Sequence, residues 1–260
     1  MTPIDNSLVD CDGRPLSPHM ISRLCELVGL LLGDGTILYQ YRRKFNRVGL
    51  SGDVLQDKIF FRSISETIFI LCGKMPTICV RKHKKGQSLE LYLNNKRFVC
   101  YLVHQLGLPY GKKTYTVKIP KKFLSWSRAQ HVLRGLFESD GSLFFSKSKI
   151  TIQYPSYPRI ELRTVSEMLA RQMFDLLLDH NFNVQLMKTK YGDYKVYLSG
   201  QAMLEKWVRE IGFSNPSTVT KHLFWKRFGY YIPRSTFYQR KKLLKIENSE
   251  EEYGTVAKSG

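Results

Sequence analysis

At 260 residues the chain can bury one large core or two smaller ones, and an apolar content of 43% with 13% aromatics argues against disorder for most of it. Its 41 Lys and Arg against 22 Asp and Glu leave a formal charge of +19, which repels itself in the compact state unless a polyanion offsets it. Nucleic acid is therefore the leading expected partner; no apolar run approaches the roughly 18 residues of a membrane span, and five cysteines with no CxxC spacing argue against a zinc site or disulfide framework.

Residues 1–16 read as a loose leader broken by Pro3, Gly13 and Pro15, and the polar stretch from Met1 to Asp12 has no secretory character. Ser17-Pro18 has the form of a helix start, and the helix predicted there runs through Leu24, Leu27, Val28, Leu31 and Leu32 to Gly33-Asp34-Gly35. Strands are predicted at Ile37–Tyr39 and Val48–Ser51, a helix over 54–72, strands at 77–81 and 89–93, and a helix over 96–106 stopped by Gly107 and Pro109. A Lys-rich linker leads to a second long helix beginning near Ser125 or Ser127. The pattern then repeats, with strands at 142–146 and 159–164, a helix at 167–178, strands at 184–189 and 194–198, and a helix at 201–211. Two further helices are predicted, at 221–231 and 237–246, ahead of a charged tail.

The repeat holds residue by residue. Gly86 corresponds to Gly192, Leu91-Tyr92-Leu93 to Val196-Tyr197-Leu198, and Leu106-Gly107 to Ile211-Gly212, with an offset constant to within one residue. The expected class is α+β, in two pseudo-symmetric αββαββα halves. The boundaries read as a leader (1–16), an N-terminal half (17–108), a linker (109–124), a C-terminal half (125–231) and a basic extension with a flexible tail (232–260).

The most informative repeated element is Leu27–Gly35, which recurs as Leu133–Gly141. Gly29 and Gly33 lie four apart, as do Gly135 and Ser139, so each pair shares one helix face. A glycine in a helix costs about 0.5–1 kcal/mol relative to alanine, so a repeated small face requires a compensating contact. Packing the two motif helices on each other supplies it and brings Asp34 and Asp140 to a shared centre. Carboxylates so held repel unless a cation sits between them, and hard divalent ions are bound by one or two carboxylates with substrate phosphates and water. In a basic protein this reads as metal-dependent phosphodiester hydrolysis. A plain Asp-Gly turn would explain one copy but not two.

These two segments resemble the motifs of the LAGLIDADG homing endonucleases in their monomeric, two-motif form, and the resemblance extends from Pro18 to about Tyr230. It implies saddle-shaped antiparallel sheets, motif helices packed at the interface, and Asp34 and Asp140 as metal ligands at the centre of a DNA cleavage site. The backbone carbonyls of Gly33 and Ser139 are candidate further ligands. The implied cofactor is Mg²⁺, with Mn²⁺ or other divalent ions as substitutes and Ca²⁺ expected to bind without supporting cleavage. A lysine near each centre is also implied, by position Lys112 or Lys113 in the first half and Lys221 in the second. The polar residue that such proteins carry near the end of the second strand is replaced by Gly52-Asp53 and Arg163-Thr164, which leaves its role open and makes Asp53 a candidate extra acid.

Strand alternation gives the candidate DNA contacts. With one sheet face covered by helices, the other is expected to present Arg42, Lys44, Arg47, Arg81, Tyr92, Lys147, Lys149, Arg159, Arg163, Lys188, Lys190, Lys195 and Tyr197, although a one-residue slip would invert the set. The resemblance implies a monomeric enzyme that makes a double-strand cut with short 3′ overhangs in a long asymmetric target and so spreads its own intron or intervening sequence. The alternative is an RNA maturase acting on its own intron RNA, or a non-cleaving DNA-binding regulator. The termini lack splicing residues, so the free-standing form is expected over an intein. An intracellular setting is expected, prokaryotic cytoplasm or organelle matrix, with no membrane partner.

Overall fold

The computed structural model describes residues 8–40, 45–84, 86–112, 114–147 and 153–246. The chain divides into two compact units, Met1–Ser139 and Asp140–Gly260. The first contains α1 (Pro18–Leu32), β1 (Thr36–Leu38), β2 (Arg47–Gly52), α2 (Lys58–Cys72), β3 (Thr77–His83), β4 (Gly86–Asn94), α3 (Lys96–Cys100) and nearly all of α4 (Trp126–Asp140). The second contains β5 (Gly141–Ser146), β6 (Tyr157–Thr164), α5 (Glu167–Asp179), β7 (Val184–Lys188), β8 (Tyr194–Ser199), α6 (Gln201–Glu210), α7 (Pro216–Phe228) and α8 (Phe237–Leu244). The order helix–strand–strand–helix–strand–strand–helix thus occurs twice, in the expected α+β class. No helix among the described residues is long and apolar enough to cross a membrane.

Each sheet is antiparallel and four-stranded, with orders β1-β2-β4-β3 and β5-β6-β8-β7. Alternation decides its two faces. In the first sheet Ile37, Val48, Leu50, Leu89, Leu91 and Leu93 are buried on one side; in the second Leu143, Phe145, Ile160, Leu162, Val196 and Leu198 are. The register of β2 on β4 (Val48↔Leu93, Leu50↔Leu91) keeps these apolar residues opposite one another. The opposite faces carry the polar and charged residues.

The core of the first unit is built on α1. Its start matches the reading from sequence: Ser17 Oγ accepts from the Met20 amide at 3.3 Å, and Pro18 occupies the first turn. Leu24, Leu27, Val28, Leu31 and Leu32 are buried. Helix α4 crosses α1 with backbone against backbone. A Cβ placed on Gly29 would overlap the Val132 carbonyl oxygen and lie 2.7 Å from the Leu136 nitrogen and 2.9 Å from Gly135 Cα. A Cβ on Gly135 would overlap the Glu26 carbonyl oxygen and lie 2.8 Å from the Leu30 nitrogen. Glycine at both positions is what permits the approach, since no flexible side chain is there to move aside.

The structure changes several boundaries. Helix α2 begins at Lys58, because residues 53–57 form a tight turn instead of its first turn. The helix predicted over 96–106 is α-helical only to Cys100 and continues as a π-helical turn, Tyr101–Gln105. Helix α7 starts at Pro216, five residues before its expected position. Asn215 accepts from the Ser217 amide at 2.9 Å, Pro216 fills the first turn, and Gly229 ends the helix in a left-handed conformation. Residues 8–16, expected as a loose leader, fold back onto the first unit. Leu8 and Leu16 are buried, Val9 bridges to Pro15, and the Tyr101 hydroxyl donates to the Val9 carbonyl at 2.7 Å. Between the halves, Val117, Ile119 and Phe123 are buried.

Two stability measurements test this packing. Gly135→Ala must push the α1 backbone away, and overpacking of a fitted core costs about 1–3 kcal/mol, which exceeds the helix-propensity gain of alanine. A lower urea midpoint is expected for Gly135→Ala, and an unchanged midpoint would refute the close crossing. His222 in α7 is buried, and burial, aided by the neighbouring Lys226 cation, lowers its pKa from 6.5 to about 4. The folded state therefore holds it neutral while the unfolded chain protonates it. Its contribution is intact above about pH 6.5 and is lost as pH falls toward 4, by roughly 2–3 kcal/mol. His222→Gln is expected to flatten that part of the stability–pH curve.

Candidate active site and sheet faces

The two motif helices end differently although their sequences match. Helix α1 stops at Leu32; Gly33 leaves helical geometry (φ −76°, ψ −114°) while its amide still donates to the Gly29 carbonyl at 3.1 Å. Asp34 lies in the turn before β1. Helix α4 instead continues through Asp140 and passes directly into β5 at Gly141. The Ser139 hydroxyl donates back to the carbonyls of Gly135 and Leu136, at 3.2 and 3.0 Å. Asp34 and Asp140 are both exposed, while Gly33 and Ser139 are half-buried. Each aspartate follows the crossing glycine of its helix by five positions.

A carboxylate at a helix C-terminus is electrostatically misplaced, by about 0.3–1 kcal/mol, unless a cation accompanies it. Asp140 has this position, and neither α1 nor α4 has a basic residue in its last turn. Taken singly, each exposed carboxylate offers the hard oxygen donors that divalent ions prefer. Among the described residues, no group of three or more His, Cys, Asp or Glu is arranged to hold a metal.

Among the candidate lysines, Lys112 is exposed in a loop tied to the first motif, since the Gly111 amide donates to the Ile37 carbonyl at 3.0 Å, just after the Asp34 turn. Lys221 is half-buried in α7. Lys113 lies outside the described residues. Asp53 has a structural use in the turn before α2. Its Oδ1 accepts from the Leu55 and Gln56 amides, both at 2.9 Å, and its own amide donates to Asp57 Oδ2 at 2.6 Å. Gly52 is required by the same turn, because a Cβ there would sit 2.6 Å from Asp57 Oδ2 and 2.9 Å from the Phe61 ring.

On the open face of the first sheet, Arg47, Arg81, Glu90 and Tyr92 form one cluster. Arg81 pairs with Glu90 at 3.1 Å, Arg47 lies 3.9 Å from the same carboxylate, and its guanidinium stacks 3.8 Å above the Tyr92 ring. The second sheet repeats the device with other residues. Glu161 binds Arg163 and lies 3.4 Å from Lys195, and hydrogen bonding to Glu161 raises the pKa of Arg163. Arg159 donates to Ser146 at 3.2 Å, and the Tyr197 hydroxyl donates to Gln185. Lys147 is exposed just past β5, and Lys190 is exposed in the β7–β8 turn. Lys188 departs from the expected set: paired with Tyr194, it alternates with Val184 and Leu186 on the face that α5 covers, and Tyr194 donates to Glu167 of α5 at 2.7 Å. Arg42, Lys44 and Lys149 lie outside the described residues.

Sequence reasoning did not find Glu90 or Glu161, nor the ion pair inside the helix crossing. Glu26 is buried and accepts from Arg134 at 3.0 and 3.2 Å, while its Oε1 has no hydrogen-bond partner. A lone acid among the apolar residues of α1 was its visible signal.

No model of a protein family matches the chain. The Replication factor C small subunit of Thermococcus kodakarensis is 26% identical over 204 residues, which are 77% of this chain and 21% of that protein, so the chain spans about a fifth of that relative's length. Among solved structures, a variant of I-DmoI in complex with its target DNA in the presence of Mg superposes with a TM-score of 0.54 at 15% identity, covering 75% of this chain and 98% of the other. I-DmoI with DNA and Mn gives 0.52 at 16% identity, covering 74% and 97%. I-DmoI with DNA and Ca gives 0.52 at 15%, covering 74% and 90%. The fold is that of the LAGLIDADG homing endonucleases. Helices α1 and α4 carry the two repeated segments, Leu27–Gly35 and Leu133–Gly141, whose sequence resembles the motif after which this fold is named.

Asp53 supplies the test of this assignment of roles. Asp53→Ala is expected to cost about 0.5–2 kcal/mol by removing a capping carboxylate, with Asp53→Asn or Asp53→Ser recovering most of it, as read by urea denaturation. Failure of Asn and Ser to recover the loss would return Asp53 to the list of candidate acids.

Proposed function

We propose that this protein is a divalent-metal-dependent endonuclease that cuts both strands of duplex DNA at a long asymmetric site, leaving short 3′ overhangs, and so promotes homing of its own intron or intervening sequence. The observation that carries the reading is the crossing of α1 and α4 at Gly29 and Gly135, each helix delivering an aspartate five residues on. A protein that only bound DNA would have no need of this matched pair. The I-DmoI complexes with DNA and divalent ions support the same reading by fold.

Asp34 and Asp140 would hold Mg²⁺, with the Gly33 and Ser139 carbonyls as further donors, and the bound ion would supply Lewis-acid stabilisation of the phosphate and activation of water. The chain's own residues do the rest. Lys112, tied beside the Asp34 turn, offers a cation to the developing negative charge, with Lys221 as the candidate counterpart. On the open sheet faces, Glu90 and Glu161 fix the guanidinium groups of Arg47, Arg81 and Arg163. Held arginines can read guanine edges with less entropy lost on binding than free ones, while Lys195, Lys147 and Lys190 suit phosphate. The protein would act as a monomer, since both motifs reside on one chain.

Cleaved sequences selected from a randomised duplex library with Mg²⁺, and absent with EDTA, are expected to define one preferred site. On that site Asp34→Asn and Asp140→Asn should each abolish double-strand cutting without weakening duplex binding, measured in Ca²⁺. A variant that still cut both strands at the parental rate would remove its aspartate from the metal site.

A further inference from the structure

Helices α7 and α8 lie beyond the repeated αββαββα order and form a hairpin within the second unit. Four contacts seat it against the edge strand β5 and the residues just before β6. Trp225 Nε1 donates to the Ser156 carbonyl at 2.7 Å, the Tyr231 amide donates to the Pro155 carbonyl at 2.8 Å, and Phe145 stacks on Trp225 and Tyr231 with ring centres 5.8 and 5.0 Å apart. The hairpin is locked from within by Arg240, which is 1% exposed. Its guanidinium donates to Thr220 Oγ1 at 3.1 Å, to the Tyr231 hydroxyl at 3.2 Å, to the Ser217 carbonyl and hydroxyl at 3.0 Å, and to the Ser235 carbonyl. Every one of these partners is neutral, so the buried cation is solvated by dipoles without being cancelled.

The sequence from Pro216 to Ile246 contains no Asp or Glu. On α8, Phe237, Arg240, Lys241 and Leu244 face inward at helical spacing, leaving Tyr238, Lys242 and Lys245 outward. Lys226 at the end of α7 and Arg234 in the connection are also exposed. Part of the local charge has a structural use: Arg227 donates to the Leu244 carbonyl at 2.9 Å, and cations in a last helical turn complement the helix dipole. Lys226, Arg234, Lys242 and Lys245, however, enter no ion pair among the described residues. On the sheet faces, by contrast, Arg47 and Arg81 share Glu90, and Arg163 and Lys195 share Glu161. Among the described residues of the second unit, the hairpin therefore gathers most of the cations without a carboxylate partner, with Arg159, Lys147 and Lys190 lying elsewhere.

We propose that the α7–α8 hairpin is an auxiliary clamp for the phosphate backbone of duplex DNA flanking the segment read by the sheets. The inference rests on the DNA-binding reading above and adds a second, sequence-independent contact region on one half of the protein alone. Its seating beside β5 presents the cations on an already ordered backbone, and attachment at a sheet edge places them outside the strands that would read bases. Duplex is the chosen occupant because the surface is dominated by point charges on a helix, which suit backbone phosphate; Tyr238 and Phe228 are exposed rings on which unpaired bases could stack, so single-stranded RNA is the alternative that the test separates.

The test compares the full-length protein with Lys226→Gln/Lys242→Gln/Lys245→Gln and with a matched control, Lys58→Gln/Lys74→Gln/Lys118→Gln. Each is titrated with labelled duplex of arbitrary sequence across a salt series, and with single-stranded RNA of the same sequence. Counterion release makes the slope of log K on log[salt] fall by about 0.9 for each phosphate that the protein no longer neutralises. The hairpin variant is expected to drop by about 2–3 in that slope and by roughly tenfold or more in duplex affinity, with the control near the parent and both variants folded at the titration temperature by their thermal melts. Equal losses in both variants, no loss in the hairpin variant, or a loss confined to RNA would each overturn the clamp. A parent protein that itself bound duplex without salt dependence would instead overturn the proposed function.

Discussion

The contact between Gly29 and Gly135 is the constraint on which the first unit depends. Helix axes usually pack 8–10 Å apart, held off by side chains. At this crossing each glycine faces a carbonyl oxygen and an amide nitrogen of the other helix, so neither position can carry even a methyl group. The two glycines cost helix stability, which is recovered through a buried face of Leu24, Leu27, Val28, Leu31, Val132, Leu133 and Leu136. The Glu26–Arg134 pair sits within the same contact. A buried ion pair of this kind adds little net stability, because desolvation offsets attraction, but it penalises any other register of the two helices. Apolar packing supplies the adhesion, and the glycines and the ion pair supply the alignment.

The same economy governs charge on the sheets. A basic surface meant for a polyanion would be expected to exclude carboxylates, yet Glu90 and Glu161 lie on the open faces, each shared by two cations. Their effect is to lower the net attraction for phosphate while fixing the direction of the guanidinium groups. A side chain that reads base edges gains from fixed geometry, while one that neutralises phosphate gains from free charge. The paired arginines of the sheets and the unpaired lysines of the α7–α8 hairpin divide along that line.

Much of this fold was legible in the sequence because two elements of evidence agreed: the helix and strand periodicities, and their recurrence at a constant offset. The repeat itself identified Gly29 and Gly135, since only a shared contact explains a small residue at the same place in two helices. What the sequence concealed was of another kind. The Asp53–Asp57 turn removed a first turn from α2; it is built by the Asp53 carboxylate on the Leu55 and Gln56 amides and by Asp57 on the Asp53 amide, bonds that apolar spacing does not show. The start of α7 was signalled by Asn215-Pro216 and its end by Gly229, and apolar spacing alone placed it too late. Glu90 and Glu161 could not be recognised, because which strand residues face one another is a matter of pairing between distant segments. Lys188 shows the same limit: one position along β7 separates the open face from the face under α5.

The pseudo-symmetry is also imperfect in ways that matter for function. Asp34 stands two residues past the end of its helix, whereas Asp140 is the last residue of its own. The carboxylate of Asp140 therefore lies nearer the negative end of its helix dipole than that of Asp34 does. The two aspartates thus differ in their position on the helix dipole, although both derive from the same pattern of small residue, aspartate and glycine. The asymmetry is reinforced at a larger scale, since only the second half carries the α7–α8 hairpin with its uncompensated cations. Under the proposed function, such a chain would not be bound to a palindromic target: each half holds its own cation–carboxylate cluster, its own aspartate geometry and, on one side alone, an additional basic surface.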